Sequence, residues 1–597
     1  MNDLNIYYDN LTYNEIISKV RINGGKLVGS VIKFGILGNI TVDNYIPLLK
    51  YLLLKESIQA DIVQGAYDIV MQEVLDLDSS ISKFQPDILI VFLNIELVSP
   101  NLFQRFLELT PNEINNEKEY LLAYVHRFFE ANQANIHSKV IFHLFELPTS
   151  PAFDIYEIQN GNGQRALINQ INIEIIELSK SFKDIYFIDL NIIRERLGCE
   201  NYLDKRYWYI GRAPFTIEAA KGLAIEQFKI VNSLYGKTKK CLVVDCDNTL
   251  WGGVIGEDGL ANIRIGKSYP GNMYLDFQRQ ILNLYNKGII LAINSKNNES
   301  DVLEVLDNHP EMLLKRKHFA CIYANWNNKA ENIQNISMDL NIGIDSIVFV
   351  DDSEFECNFV KETLPRVTVI HLPLEVFNYA ETISNCGCFD KIQYTDEDKI
   401  RGDLYRVEVE RKKFQNSFSD LDAFYKSLEM KIVIKSVDEF SLSRVSQLTQ
   451  RTNQFNLTTT RYSDDEIRSF MHSDNYDVLL LKLKDKFGDM GIVGVQILDY
   501  TIPNEARIDT FLLSCRVIGR GVERVFLRKG IERCIERDCK NIFSSYIPTK
   551  KNLLVADFYV SNGFSEISSD ENCRYFIISR IEQLVSFDNY FNEIILD

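Results

Sequence analysis

Apolar and polar positions along the first 235 residues alternate in the rhythm of strand and helix. Short apolar runs at Val31–Leu37, Asp87–Asn94, Lys139–Phe145 and Ile185–Asp189 are separated by stretches with helical spacing. That alternation predicts a parallel sheet with helices on both faces. Sites in such sheets lie beyond the strand C-termini, which puts Asn39, Asn94 and Asp189 on one rim.

The pattern restarts near Thr238. Strands are expected at Cys241–Asp245, Gly288–Ile293 and Ser346–Val350, with a helix at Met273–Lys287. From Glu375 to Asn416 the chain is polar and charged and reads as a connector with a helical portion. Beyond it, Met430–Lys435 and Asp477–Leu483 are strand-like. Gly491–Tyr500 and Ala506–Leu513 read as a strand pair, followed by a helix at Gly521–Arg537 and a late strand at Arg574–Ile578. With 597 residues the chain is too long for one core. The divisions expected are 1–235, 236–375, a connector 376–429 and 430–597, all α/β.

Composition narrows the class. A hydrophobic fraction of 46% and a charged fraction of 25% are those of a globular protein. No apolar run is long enough to span a bilayer, and the first residues lack a basic flank with an apolar core, so a cytoplasmic location without membrane contact is expected. A net charge of −18 argues against a nucleic-acid partner. The basic runs Lys237–Lys240, Lys315–Lys317 and Arg411–Lys413 read as solvated surface, while leaving room for a local contact with an acidic protein. Eleven cysteines without a C-x-x-C pair support neither a zinc site nor a disulfide framework.

The chemistry concentrates at the end of one strand, where Cys241–Val244 runs into Asp245, Asp247 and Thr249. This D-x-D-x-T resembles the nucleophile motif of haloacid-dehalogenase-type (HAD) phosphoryl-transfer enzymes. The resemblance implies Asp245 as nucleophile and Asp247 as general acid/base. Further on and in the family order come Ser295 after a second strand, Lys329, and the pair Asp351-Asp352 after a third. Ser295 would hydrogen-bond the phosphoryl oxygens, and Lys329 would balance the nucleophile. One of the two acids, with Asp245 and the carbonyl of Asp247, would hold Mg²⁺. Asn248, Thr249, Trp251, Gly252, Gly253, Asn294 and Lys296 are the expected phosphate and substrate contacts. The short spacing from Thr249 to Ser295 leaves no room for a large cap domain, so a bulky tethered substrate could enter.

The extension Trp251–Gly259 is more specific, as are Ser295–Glu299, His309–Met312, Asn325-Trp326 and Asn341–Asp352. These segments resemble the FkbH-like branch of the HAD superfamily, whose members handle three-carbon phosphoglycerate units and carrier proteins. Ser353–Cys357 departs from that branch's usual Asn-Pro-x-Glu-Arg.

Arg516, Gly519, Arg520 and Gly521 form R-x-x-G-x-G at the start of a predicted helix, a loop similar to the pyrophosphate loop of GNAT-type acyltransferases. Backbone N–H groups there would cradle the phosphates of CoA or of a phosphopantetheine arm. Asn552 and Tyr559 resemble the second half of the GNAT cofactor site, and Thr452–Tyr462 is a further FkbH-like segment expected near the acyl-acceptor mouth. Cys515 beside the loop, near a helix start, is a candidate acyl carrier. In the first domain, Gly35–Thr41, Asn94 and Trp208–Arg212 resemble the SGNH-hydrolase-like domain that precedes some FkbH modules. Asn39 stands where the nucleophilic serine would be, and residues 189–215 contain no histidine, so a binding role without hydrolysis is expected.

The resemblance implies an enzyme that dephosphorylates a phosphoglycerate, 1,3-bisphosphoglycerate, and loads a glyceryl thioester on an acyl carrier protein in polyketide, secondary-metabolite or polysaccharide biosynthesis. The alternative is a CoA-dependent acyltransferase acting on a sugar or amino-sugar nucleotide, coupled to a phosphatase.

Overall fold

The computed structural model describes residues 7–23, 30–415, 418, 420–570, 572–579 and 591–596. The chain divides into two compact units, Met1–Val231 and Asn232–Asp597. Among the described residues no helix is long and apolar enough to cross a membrane.

In the first unit five strands form one sheet: β1 Ser30–Gly38, β2 Ile58–Gln64, β3 Ile88–Phe92, β4 Lys139–Leu144 and β5 Ile185–Asp189. Their order is β2-β1-β3-β4-β5 and every pairing is parallel. The helices Pro111–Ala131 and Gln164–Ser179 supply Val125, Phe128, Phe129 and Ile171 to a core shared with Leu89, Val91 and Phe142 of the sheet. β2 escaped the sequence pattern because its burial alternates only weakly, as an edge strand's does.

At the strand ends Asn39 is closed onto Asn94. Its Nδ2 donates to the Asn94 carbonyl at 3.2 Å and its Oδ1 accepts from the Asn94 N–H at 2.8 Å. His143 lies beneath the rim, with Nδ1 2.8 Å from the Val91 carbonyl and Nε2 3.1 Å from Gln227. Burial pushes its pKa down to about 4, against the Val91 bond, so it stays neutral and both nitrogens are occupied. Asp189 is spent on capping the helix that follows, accepting from the Asn191 N–H at 2.9 Å.

The second unit holds two sheets. The first contains β6 Cys241–Val244, β7 Ile290–Ser295, β8 Phe319–Ala324, β9 Ile347–Asp351 and β10 Thr368–His371, all parallel, in the order β10-β9-β6-β7-β8. β6 therefore lies at the centre and its C-terminal end faces the rim between β7 and β9. Between Thr249 and Ser295 the chain forms the turn Ile255–Asp258 and the helix Gly271–Asn286, with no inserted domain.

The second sheet comprises β11 Met430–Ser436, β12 Phe455-Asn456, β13 Tyr476–Asp485, β14 Gly488–Asp499, β15 Glu505–Leu513, β16 Asn541–Tyr546, β17 Ser565–Ser569, β18 Arg574–Ile578 and β19 Phe591–Leu596. β11, β13, β14 and β15 pair antiparallel in sequence, whereas β15 and β16 pair parallel. That parallel pairing covers only Glu505–Ile508 against Asn541–Ser544, and β12 takes over Leu512 and Leu513. The two central strands thus part halfway along. β12, with the Leu457 that follows it, fills the gap between them, bonding β15 on one side and accepting from the Ile547 N–H after β16 on the other, and the helix Val522–Glu536 follows the Arg516–Gly521 loop directly.

The segment 376–429 is not a free connector. Its helix Asp396–Gln415 buries Tyr405 and Val409 in a core with Ile290, Ile333 and Ile347 of the first sheet's layer. Close approach is possible because Gly402 faces the Tyr285 ring, where a Cβ would come within 2.3 Å. Asp398 at the start of this helix takes Lys391, Arg401 and Arg451 at 3.1, 2.8 and 3.1 Å and accepts from Gln447 at 2.7 Å. Burial raises its pKa, but Arg401, Arg451 and Lys391 outweigh that and hold it well below the usual carboxylate range. Arg451 and Gln447 belong to the helix Glu439–Arg451, so this buried cluster ties the two halves of the unit together. A low hydropathy made the segment read as linker, and its partners are charges rather than apolar side chains.

Candidate active site

The buried strand β6 delivers Asp245 to the sheet rim, where its N–H donates to the Val350 carbonyl at 3.1 Å. Asp351 and Asp352 arrive from the end of β9, and carboxylate oxygens of Asp245, Asp351 and Asp352 lie within 4.8 Å of one another. Lys329, the first residue of the helix Lys329–Leu340, places Nζ 3.0 Å from Asp245 Oδ1 and 2.5 Å from Asp351 Oδ2. Burial opposes its charge, but the two carboxylates prevail and raise its pKa. One ammonium among three carboxylates leaves the cluster net negative. Burial first, and then Asp245, push Asp351 up to about 7 against the pull of Lys329, and Asp352 is raised for the same two reasons. Oxygen donors carrying excess negative charge in a buried rim suit a hard divalent cation. Such an ion would relieve the repulsion that these shifts express.

Asp247 lies apart from that cluster. Its Oδ1 accepts from the Trp251 indole N–H at 2.9 Å and the Ile255 N–H at 3.1 Å, and its Oδ2 accepts from Asn297 at 2.9 Å. Desolvation raises its pKa, those three donors restrain the rise, and Asp245 adds to it. A carboxyl whose pKa is raised, beside the Asp245 carboxylate, is equipped to give and take a proton.

The Trp-Gly-Gly extension acquires a physical meaning here. The loop folds back so that Trp251, fully buried, and Ile255 grip Asp247. Asn248, in a left-handed conformation at φ 53°, accepts from the Gly253 N–H at 2.9 Å. Gly253 has φ 97°, and a Cβ there would meet Asp258 Oδ2 at 2.4 Å, while that oxygen holds the Val254 N–H at 2.8 Å. The motif is a clamp that fixes the Asp247 carboxyl.

Several expected substrate contacts are reassigned by this geometry. Trp251 is a support for Asp247. Thr249 is fully buried and donates to Asp352 Oδ1 at 3.2 Å, so it orients that carboxylate and cannot reach a phosphate. Asn294, also buried, donates to the Lys329 carbonyl at 2.9 Å and accepts from Asn332 at 3.0 Å, which holds the helix that carries Lys329. Lys296 is half-exposed and pairs with Glu356 at 2.6 Å. The departing Ser353–Cys357 segment keeps that partner and begins a regular helix, Glu354–Thr363, capped by Ser353. Ser295 is at the rim with its Oγ 3.1 Å from Asn297 Nδ2. Asn297 bridges Ser295 and Asp247 and was not singled out from the sequence, although it follows the strand-end serine by two positions. Gly252 closes the clamp by pairing backbone with Arg264.

In the other half of the unit, Gly519 and Gly521 both adopt φ 80°, a conformation that explains glycine at each. Arg520 does not face a ligand slot. Its guanidinium is buried against Glu408 at 2.5 Å and Asp485 at 3.6 Å, beside Arg411. Asn552 is buried and staples its own loop, donating to the Asn456 and Ile547 carbonyls and accepting from the Thr549 N–H. Tyr559 is a core residue packed on Phe564 and Phe576 at 5.0 and 5.4 Å, and burial raises its pKa. Local bonds consume the Asn552 amide, whereas the buried Tyr559 hydroxyl has no hydrogen-bond partner among the described residues.

Cys515 also sits differently from the expectation. The long helix begins only at Val522, and Cys515 opens a single 3₁₀ turn, Cys515–Val517. Its thiol is 3.3 Å from the Tyr405 hydroxyl, and its carbonyl accepts from Asn341 Nδ2 at 2.6 Å. It packs near Cys241, Ile290 and Ile347, the first residues of β6, β7 and β9. Asp245 lies beyond the opposite end of β6, about 13 Å of strand from Cys241.

Two aspartates at the tip of a central parallel strand, a buried lysine and an acidic pair on the adjacent strand, without an inserted cap, define a HAD-type phosphatase. Residues 33–232 match the family model for the FkbH N-terminal domain, and residues 240–368 match that for NLI interacting factor-like phosphatase. The chain therefore carries an FkbH N-terminal domain followed by a HAD-type phosphatase domain. It is similar to the crystal structure of the N-terminal part of the protein BF1531 from Bacteroides fragilis, containing a phosphatase domain complexed with Mg. Identity is 28% and the TM-score 0.59, over 64% of this chain and all of that one. Two further similar structures are the ribosomal-protein-S18-alanine N-acetyltransferase of Escherichia coli (15% identity, TM-score 0.20, 26% of this chain and 97% of that one) and a spermidine N-acetyltransferase SpeG of Vibrio cholerae (12%, 0.20, 25% and 93%). No curated protein matches the sequence. The protein carries a phosphatase domain.

Proposed function

We propose that the enzyme removes phosphate from a phosphoglycerate and passes the glyceryl unit, as a thioester, to an acyl carrier protein. The observation that carries the reading is the joining, in one compact unit, of the Asp245–Lys329–Asp351 centre to a split sheet with an Arg-x-x-Gly-x-Gly loop. Asp245, Asp351 and Asp352 would hold magnesium, which would screen the carboxylate from the phosphate it approaches. An Asp245 oxygen attacks phosphorus, Asp247 protonates the departing alkoxide, and Ser295 and Lys329 hold the phosphoryl oxygens. Asp247, now deprotonated, takes a proton from water, whose oxygen attacks the aspartyl-phosphate and frees inorganic phosphate. With 1,3-bisphosphoglycerate, the Cys515 thiol would displace the acyl phosphate at C1 to form a thioester, and a pantetheine thiol would then displace Cys515. With about 13 Å of strand between them, C1 and the C3 phosphate would be handled at different ends of the phosphatase sheet, and a mobile pantetheine arm suits that distance. The parting of β15 and β16, beside Gly519 and Gly521, is the candidate place for that arm or for CoA, which would have to displace β12 from it. The uncapped rim, with no inserted domain between Thr249 and Ser295, favours a protein-tethered substrate over a free one. The first unit is read as an SGNH-like binding scaffold, since Asn39 offers no nucleophile and His143 no free nitrogen.

The test is mass spectrometry of holo carrier proteins incubated with enzyme, Mg²⁺ and bisphosphoglycerate. Acylated carrier is expected, and its absence with several carriers would sink the reading. Asp245→Asn should lower phosphate release by at least about 10³-fold. A Cys515→Ala enzyme that loads carrier at full rate would remove the covalent relay. Turnover of acetyl-CoA with an amino-sugar nucleotide would favour the alternative acyltransferase.

A further inference from the structure

At the N-terminal ends of β6, β7 and β9 lies a cavity of about 230 Å³, walled by Lys240, Arg401, Arg451, Arg516, Lys550 and Cys515. Its charge is unbalanced. Lys551 and Arg366 are answered by Asp345 at 2.5 and 3.5 Å, and Arg401 and Arg451 share Asp398. Among the described residues the Lys240 ammonium bonds only the Arg451 carbonyl, at 3.2 Å. Arg516 is buried over the Tyr405 ring at 6.0 Å, its Nε donates to the Ser514 hydroxyl at 3.4 Å, and its Nη1 has no hydrogen-bond partner among the described residues. A buried guanidinium nitrogen without an acceptor is costly and is rarely left so in a native protein. Burial first, and then Lys551, Arg401 and Arg451, hold Lys240 below the ordinary lysine range, with Cys515 opposing. An anion in the cavity would satisfy both groups at once. The cavity is lined by Cys515 and Arg516 but by none of residues 517–521, so it is separate from the glycine loop at the helix start. It is also about 13 Å of strand away from the carboxylate cluster. A second ruler agrees: Asn341, which lines the cavity, ends the 12-residue helix that begins at Lys329, about 18 Å away.

We propose that this cavity is a second anion site, which binds a small phosphorylated carboxylic acid with its acid carbon beside Cys515 and its phosphate among Lys240, Arg516 and Lys550. The substrate class rests on the function proposed above, while the existence of the site rests on the cavity alone. A volume of about 230 Å³ falls below the range of drug-sized pockets and matches a small metabolite. A three-carbon acid bound here is out of reach of Asp245. Binding in the cavity and dephosphorylation are therefore successive states of the substrate, and binding should proceed without magnesium.

Calorimetric titration of the full chain in EDTA tests this, with 3-phosphoglycerate, inorganic phosphate and 4′-phosphopantetheine as probes. Expected is one site per chain for 3-phosphoglycerate, at least about tenfold tighter than for either other probe. It should slow alkylation of Cys515, read on its peptide by mass spectrometry, at least about tenfold. Arg516→Gln and Lys240→Gln should each weaken binding about tenfold or more. The exposed Lys550→Gln, which removes no buried contact, should weaken it about threefold. Equal affinity for inorganic phosphate, preference for phosphopantetheine, or binding unchanged in Lys240→Gln and Lys550→Gln would each overturn the proposal. So would the absence of binding in EDTA, even if magnesium-dependent phosphate release persisted, and that release would leave the phosphatase reading standing.

Discussion

Asn341 Nδ2 donates to the Cys515 carbonyl at 2.6 Å, so the last turn of the helix that presents Lys329 at its other end also anchors the cysteine. One rigid element therefore touches both places where chemistry is proposed and holds them about 18 Å apart. Asn341→Ala should slow carrier loading about three- to tenfold while leaving magnesium-dependent release from an aryl phosphate within twofold. A parallel loss of both activities would mean that the two ends are not independent.

Trp251 acts on the acid/base group through one N–H, at 2.9 Å from Asp247. Trp251→Phe removes a donor that favours the charged carboxylate, so the Asp247 pKa, already raised, should rise further by about one unit. The limb of the kcat profile that reports Asp247 should move to higher pH, with kcat reduced about tenfold at neutral pH. A profile that keeps its shape while kcat falls would assign the indole a packing role alone.

Removing divalent metal exposes the carboxylate cluster to its own repulsion. Asp351 has a folded pKa of about 7 against 3.8 for the free side chain, so the folded form binds the extra proton. That contribution is fully present below pH 3.8 and is lost as pH rises through 7. In EDTA the phosphatase unit should therefore lose stability between about pH 4 and 7. Millimolar Mg²⁺ should restore it most at the alkaline end, where proton competition ends. Thermal melts across that range with and without Mg²⁺ check this, and a flat difference between the two series would contradict the cluster as the metal site.

Asp398 is the shared acceptor of Lys391, Arg401 and Arg451, with a side chain 1% exposed. Asp398→Asn leaves three cations without their counter-charge and should cost about 3–5 kcal/mol, lowering the melting temperature by several degrees. Because those cations hold its pKa well below the usual carboxylate range, the contribution is present above the unfolded pKa and is lost only as pH falls through the folded one. Melts should show a smaller penalty for the variant at pH 8 than at pH 5, because burial, Arg451 and Arg401 push the Lys391 pKa down to about 6 and its charge is lost in between.

Gly253 has φ 97° and its Cβ position is filled by Asp258. Gly253→Ala should loosen the loop that fixes Asp247, cutting kcat about tenfold with a smaller change in substrate affinity. A variant with unaltered kcat would show that the Trp-Gly-Gly loop is not needed to set the carboxyl.

The parallel strands and the order of Asp245, Asp247, Ser295, Lys329 and Asp351 were legible in the chain because each catalytic type follows a buried apolar run, and the rim of a parallel sheet is where such runs end. The spacing of Gly519 and Gly521 was legible for a similar reason, since positive φ restricts residue type locally. What those signals could not carry is direction of contact. Thr249, Trp251 and Asn294 lie in the right motif but turn inward, and their partners Asp352, Asp247 and Lys329 are fixed by packing between distant segments. Asn552 and Arg520 match a motif, but their polar atoms are consumed by local backbone groups for the first and by Glu408 and Asp485 for the second. The helix Asp396–Gln415 shows no apolar stripe strong enough to announce it, because three cations around Asp398 and a cleft beside Tyr285 hold it. The sequence by itself placed the candidate phosphoryl-transfer groups at strand ends, through local periodicity and residue type. Only the tertiary structure decided that Cys515 and its cations stand at the far end of the same sheet, because that distance is set by strand and helix length through the folded core.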